Sequence, residues 1–179
     1  VRLIARLVEH GLNTPPTSSA GRLFDAVASL VGVPGSGRAT YEGQAAIELE
    51  LAADGPVSRG YPFRMRPEGG MWVVETAEIL SGVVGDLLSG REKGEISSRF
   101  HRTMAEVVVA GCERIREVGG ASTVALSGGT FQNLLLVEQV LEFLVGKGFA
   151  VYRHRRVPTN DGGLALGQAV LANSSVQRG

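Results

Sequence analysis

Two glycine loops hold the residues whose types and spacing could do chemistry: Ser127-Gly128-Gly129, and Asp161 followed by Gly162-Gly163. The first ends the apolar run Val124-Ala-Leu126 and precedes an amphipathic stretch, so it reads as a turn from a buried strand into a helix. Glycines there let backbone N–H groups approach an anion at the start of the helix, which is phosphate-cradling geometry. The second loop, Pro158-Thr-Asn-Asp-Gly-Gly163, follows one β-α unit later and holds its acid at the same relative place. Two such loops at corresponding strand ends imply one ligand site built from both. Asn133, one helical turn beyond Gly129, offers a neutral donor and acceptor suited to a base or ribose edge. A plain strand-to-helix turn is the ordinary alternative for Ser127, Gly128 and Gly129.

Asp161 admits two readings. It can cap the next helix, or it can hold a divalent metal that offsets phosphate charge. His10, His101 and His154 are scattered without metal-binding spacing, so any metal site within this chain is expected to be incomplete. Arg153, Arg155 and Arg156 flank His154, and strand alternation would put Arg153 and Arg155 on one face and His154 and Arg156 on the other. They are read as a solvated edge or as an anion contact, and Arg64 and Arg66 share that ambiguity. Glu42 and Glu48 are too far apart on one helix to act as a carboxylate pair, and Asp25 reads as an exposed helical acid. The lone Cys112 falls in an apolar helical pattern and is expected to be a packed, unreactive thiol.

The elements that must position these residues follow from periodicity. Leu3, Ile4, Leu7 and Val8 open the chain in helical spacing, and because Val1 is not Met the start reads as a cut in a longer polypeptide. Ser18 or Ser19 caps a helix carrying Leu23, Phe24, Val27, Ala28 and Leu30, which Gly32-Val-Pro-Gly35 ends. The link Pro34-Gly-Ser-Gly37 leads to a third helix with Ala45, Ala46, Leu49 and Ala52 or Ala53 on its inner side. Tyr61 to Met65 and Met71 to Val74 flank Pro67-Glu-Gly-Gly70 as a β-hairpin. Ile96, Phe100, Met104, Val107, Gly111, Ile115 and Val118, at steps of three and four, predict one long amphipathic helix. Two β-α units close the chain near Ala172, with 173–179 as a frayed tail. The order predicts a single α/β lobe over 1–172, helix-rich with a small sheet.

Composition sets the bounds. The chain has 179 residues, 44% of them hydrophobic, enough for a core. Its 18 basic and 18 acidic residues balance, so no overall field draws it to nucleic acid or to an anionic membrane. No apolar run has the length of a membrane span, and one cysteine suits a reducing compartment, so a cytoplasmic, soluble protein is expected.

The motifs match a family. Thr17-Ser-Ser-Ala-Gly-Arg-Leu-Phe-Asp-Ala-Val-Ala28, Tyr41-Glu-Gly-Gln-Ala-Ala46, Phe100-His101, Leu126-Ser-Gly-Gly-Thr-Phe-Gln-Asn133 and Asn160-Asp-Gly-Gly163 with Leu166-Gly-Gln168 closely resemble the HypF-type carbamoyltransferases of nickel-iron hydrogenase maturation. The resemblance implies part of a C-terminal module similar to threonylcarbamoyl-transferases, one lobe of an actin/Hsp70/sugar-kinase-like (ASKHA) fold. It implies that carbamoyl-adenylate, made from ATP and carbamoyl phosphate at a separate domain, gives its carbamoyl group to the C-terminal cysteine of HypE. On that pattern Ser127, Gly128, Gly129 and Asn133 contact nucleotide, Asp161 completes a divalent-metal site, and Gly43, Glu48, Gly21 and Asp25 align with positions that hold ribose. The family's paired metal-binding histidines and its acylphosphatase, zinc-binding and adenylate-forming segments are absent, so this chain is expected to be inactive without the remaining HypF domains. A non-catalytic nucleotide-binding or scaffold module is the competing class. A sugar-kinase-like lobe would have no reason to contain the 17–28 block.

Overall fold

Helices provide most of the framework in the computed structural model, which describes residues 2–35 and 38–176. Ser36 and Gly37 of the expected link, Val1, and 177–179 of the expected tail lie outside the described residues. Helix α1 covers Arg2–Glu9, α2 Ala20–Val31 and α3 Gln44–Leu51. Strands β1 (Arg64–Glu68) and β2 (Met71–Glu75) precede α4 (Ala77–Leu88) and α5 (Lys93–Gly119). Then come β3 (Thr123–Leu126), α6 (Leu134–Gly146), β4 (Ala150–Arg153) and α7 (Leu164–Val176).

Local chemistry explains these boundaries. The Ser19 side chain accepts from the Arg22 amide at the start of α2, and Gly32, in the left-handed region at φ 78°, closes it. The hairpin turns on Gly69 and Gly70, both at positive φ, which suits a two-residue loop between β-strands. β1 begins at Arg64 rather than Tyr61, because the Tyr61 amide donates to Thr103 Oγ1 of α5 at 2.6 Å instead of joining the ladder. The frayed tail expected from Asn173 is also corrected: α7 continues to Val176, with the Ser174 and Ser175 hydroxyls bonded back to the Leu171 carbonyl at 2.9 and 3.0 Å.

The core runs along α5. Ile96, Phe100, Met104 and Ala105 recur on one stripe of that helix and pack with Phe24 and Val27 of α2, Leu49 of α3 and Ile79 of α4. Burying each large apolar side chain contributes about 1.5–3 kcal/mol, so α5 is the element the others depend on. Leu136, Val140 and Leu144 of α6 extend the same cluster to β3 and β4. Tyr61, Arg99 and Arg91 converge on Asp86; burial pushes the Asp86 carboxyl up, but the Tyr61 hydrogen bond and the two guanidinium groups outweigh it and hold the pKa below the usual range.

The expected small sheet is two separate ladders, an antiparallel pair β1-β2 and a parallel pair β3-β4. Among the described residues no helix is long and apolar enough to cross a membrane. Parallel pairing of β3 with β4, Thr123 opposite Ala150 and Leu126 opposite Arg153, carries the site. It brings both strands to the same end, where both glycine loops begin.

Candidate functional site: a cleft between two glycine loops and two helices

The loops meet. The Gly128 amide donates to the Thr159 carbonyl at 2.8 Å, and the Thr159 hydroxyl donates back to the Gly128 carbonyl at 3.1 Å. Gly128 adopts φ 105°, ψ 158°, a conformation closed to side-chain-bearing residues, so no other residue type fits this junction without strain. The loops open on a cleft of about 720 Å³ whose opposite walls are α2 and α3. Of the residues expected from sequence, Gly21, Asp25, Gly43, Gly129, Asn133 and Asp161 line it.

Ser127, Gly128 and Glu48 do not line it. The Ser127 hydroxyl pairs with His154 Nε2 at 3.0 Å, while Gly128 forms the junction behind the wall. Glu48 accepts from Gln44 Nε2 at 2.6 Å on another face of α3. The wall is formed instead by Gly43, Ala46, Ile47 and Glu50, whose spacing of three and four defines one helical face. Glu50 is therefore a cleft-lining residue that sequence reasoning missed. Thr130, Gln132 and Arg22 were missed as well.

The phosphate-cradle expectation needs one correction. The first loop does not lead straight into an α-helix, because a 3-10 turn, Gly129–Gln132, intervenes and α6 starts at Leu134. The α6 N-terminus already holds an anion: Glu50 Oε1 accepts from the Leu134 and Leu135 amides at 2.7 and 3.2 Å. Backbone donors for a ligand anion thus lie at the start of the 3-10 turn, where N–H groups have no partner within the turn.

Asp161 stands on the rim. The residue that caps its turn is Asn160, whose Oδ1 accepts from the Gly162 amide at 3.1 Å. Asn160 thus caps this turn, and the exposed Asp161 carboxylate lines the cleft. Among the described residues that line it, four carry carboxylates (Asp25, Glu42, Glu50 and Asp161) and one a guanidinium, Arg22, which pairs with Asp25 at 3.1 Å. Side chains alone would repel a phosphate here; carboxylates suit ribose hydroxyls and a cation. Among the described residues no three His, Cys, Asp or Glu side chains gather as a metal cluster.

The buried side of the site is a hydrogen-bonded chain. Asn133 Oδ1 accepts from the Leu136 amide at 2.8 Å as the cap of α6, and its Nδ2 meets His101 Nε2 at 2.8 Å. His101 Nδ1 lies 2.8 Å from the Ser97 carbonyl. Fully buried beside Phe24, the imidazole is pushed down to about 4 by desolvation, against the smaller effect of the Ser97 bond.

Arg64 pairs with Glu78 at 2.9 Å and Arg66 with Glu68 at 2.8 Å, which is the solvated reading. The alternation expected through Arg156 fails because β4 ends at Arg153, leaving Arg155 and Arg156 off the strand. Cys112 is half-buried against the core, and burial first, then Glu113, pushes its thiol up, away from a nucleophile.

Residues 1–168 match the family model described as "Carbamoyltransferase, Kae1-like Domain, second subdomain". The chain belongs to the HypF carbamoyltransferase family. It is 39% identical over 177 residues to carbamoyltransferase HypF of Rhodobacter capsulatus, covering 98% of this chain and 22% of that relative. A HypF homolog of Cupriavidus necator is 37% identical, with 96% of this chain and 44% of the relative covered. This chain thus spans less than half the length of either HypF relative. A solved full-length HypF in a phosphate- and nucleotide-bound form superposes with a TM-score of 0.90 at 39% identity, over 98% of this chain and 23% of that one. T. kodakarensis HypF superposes at 0.80 with 27% identity, over 98% of this chain and 22% of that one.

Proposed function

We propose that this chain is the nucleotide-facing lobe, over 1–172, of a HypF carbamoyltransferase with an actin/Hsp70/sugar-kinase-like fold. Carbamoyl-adenylate, made from ATP and carbamoyl phosphate on the remaining HypF domains, would occupy the cleft. The C-terminal thiolate of HypE then attacks the carbamoyl carbon, the S–C bond forms, the bond to the phosphate oxygen breaks and AMP leaves. The observation carrying this reading is the junction of the two loops at Gly128 and Thr159 beside a cleft edged by Asp161.

Each group has a physical task. The amides that open the 3-10 turn at Gly129 hold a phosphate oxygen. Asp25 accepts from ribose hydroxyls, with Gly21 and Gly43 keeping the walls low enough for the sugar to approach. Asp161 contributes one oxygen ligand to a divalent cation, whose bound charge would offset the phosphate among so many acids. The attacking nucleophile in this reading is the HypE thiolate, and the cytoplasm is where the chain would operate.

Titration of the isotopically labelled chain with AMP or ATP tests the placement. Amide shifts should concentrate at 127–133 and near Asp161, and shifts confined to the hairpin or to α1 would contradict it.

A further inference from the structure

The chain of bonds behind the cleft has a direction that both of its ends dictate. At one end the Leu136 amide can only donate, so the atom of Asn133 that meets it is Oδ1 and the amide flip is fixed. The nitrogen is then the atom facing His101, 2.8 Å from Nε2, and Nε2 must accept. At the other end the Ser97 carbonyl can only accept, so His101 Nδ1 carries the proton. Two backbone groups on different helices, α6 and α5, thus agree on one tautomer and one flip.

We infer that His101 is a positioning residue for the cleft: it holds the Asn133 amide as a hydrogen-bond donor, so the ligand atom Asn133 reads is an acceptor. Asn133 Oδ1 is committed to the first turn of α6, and Nδ2 has two hydrogens, of which His101 takes one. The other is what a ligand in the cleft meets. With the opposite tautomer, Nε2 would need an acceptor; Oδ1 would turn to it and α6 would lose its cap. Ser97 also donates its hydroxyl to the Leu49 carbonyl, so the same relay ties α3, the opposite wall, to the α6 start. His101 is fully buried and does not line the cleft. It acts through Asn133.

Only the nature of the ligand rests on the nucleotide reading; the tautomer does not. The test uses the labelled chain at pH 7. Imidazole ¹⁵N shifts should report Nδ1 protonated and Nε2 unprotonated, and the reverse would overturn the inference whatever binds in the cleft. AMP titration is then compared across two variants. His101→Gln can place a carbonyl oxygen where Nε2 was, whereas His101→Asn can mimic only Nδ1. His101→Gln should bind AMP within about threefold of wild type and His101→Asn about tenfold more weakly. Equal binding by a folded His101→Asn, or no recovery in a folded His101→Gln, would sink the positioning role. Absence of AMP binding by wild type would instead count against the nucleotide reading, with the tautomer still deciding the inference.

Discussion

Asp161 and Asn160 are neighbours with separable duties. Asn160 fills the cap, so Asp161→Asn removes a charge without removing a hydrogen bond that holds the fold. Its stability should stay within about 0.5 kcal/mol of wild type in denaturant unfolding. In the full-length enzyme the same change should weaken divalent-ion binding and lower carbamoyl transfer to HypE by about a hundredfold or more. Adenylate formation should survive. Wild-type transfer with unchanged metal content would remove Asp161 from the site. Asn160→Ala should show the complementary pattern, costing about 1 kcal/mol through loss of the cap.

At the scale of elements, the joint between α3 and α6 rests on Glu50, whose carboxylate holds two amides of a helix 84 positions away in sequence. Glu50→Ala leaves those donors to water and removes a charge favoured by the helix dipole, a loss of about 1–2 kcal/mol in unfolding free energy. The exit of α3 is equally exacting. A methyl on Gly94 of α5 would lie 2.7 Å from Asp54 Cβ and 2.8 Å from the Ala52 carbonyl, so Gly94→Ala should destabilise by about 1–3 kcal/mol despite its better helix propensity. Helix α5 was legible in the sequence because its apolar stripe is long and regular, and the meeting of the loops was legible because glycines follow two apolar strands. The working face of α3 was not. Its segment Gln44-Ala-Ala-Ile-Glu-Leu-Glu-Leu51 scatters polar and apolar residues around the helix, so periodicity could not rank Glu48 against Glu50, and the deciding contact comes from distant α6 amides. His101 was hidden for a related reason: it lies on the buried stripe of α5, and its partner Asn133 is 32 residues on.

For the molecule as a whole, His101 links stability to pH. Its folded pKa of about 4 lies below the unfolded 6.5, so the unfolded chain binds the proton more tightly. The stabilising contribution is full above pH 6.5 and is lost as pH falls toward 4, at about 1.4 kcal/mol per pH unit, about 3 kcal/mol in all. Urea unfolding of wild type and His101→Gln at pH 7, 5.5 and 4.5 should show a steeper fall in wild type, and parallel curves would refute the assignment. The purified chain alone should fold but give neither carbamoyl-phosphate-dependent ATP–pyrophosphate exchange nor thiocarbamoylation of HypE. Turnover free of contaminating enzyme would refute the division of labour between this lobe and the remaining domains.

Helix α7 has no buried residue, and its principal neighbour is the 3-10 turn Asp161–Gly163. The opposite wall of the cleft is seated in the core by Phe24 and Leu49. The two jaws therefore differ in mechanical footing. Amide hydrogens of α2 and α3 should exchange only with global opening, while those of α7 and the Asp161 turn exchange orders of magnitude faster through local opening. In this chain, then, local opening should be seen first on the side of the cleft that carries Asp161, and only with global unfolding on the side built from α2 and α3.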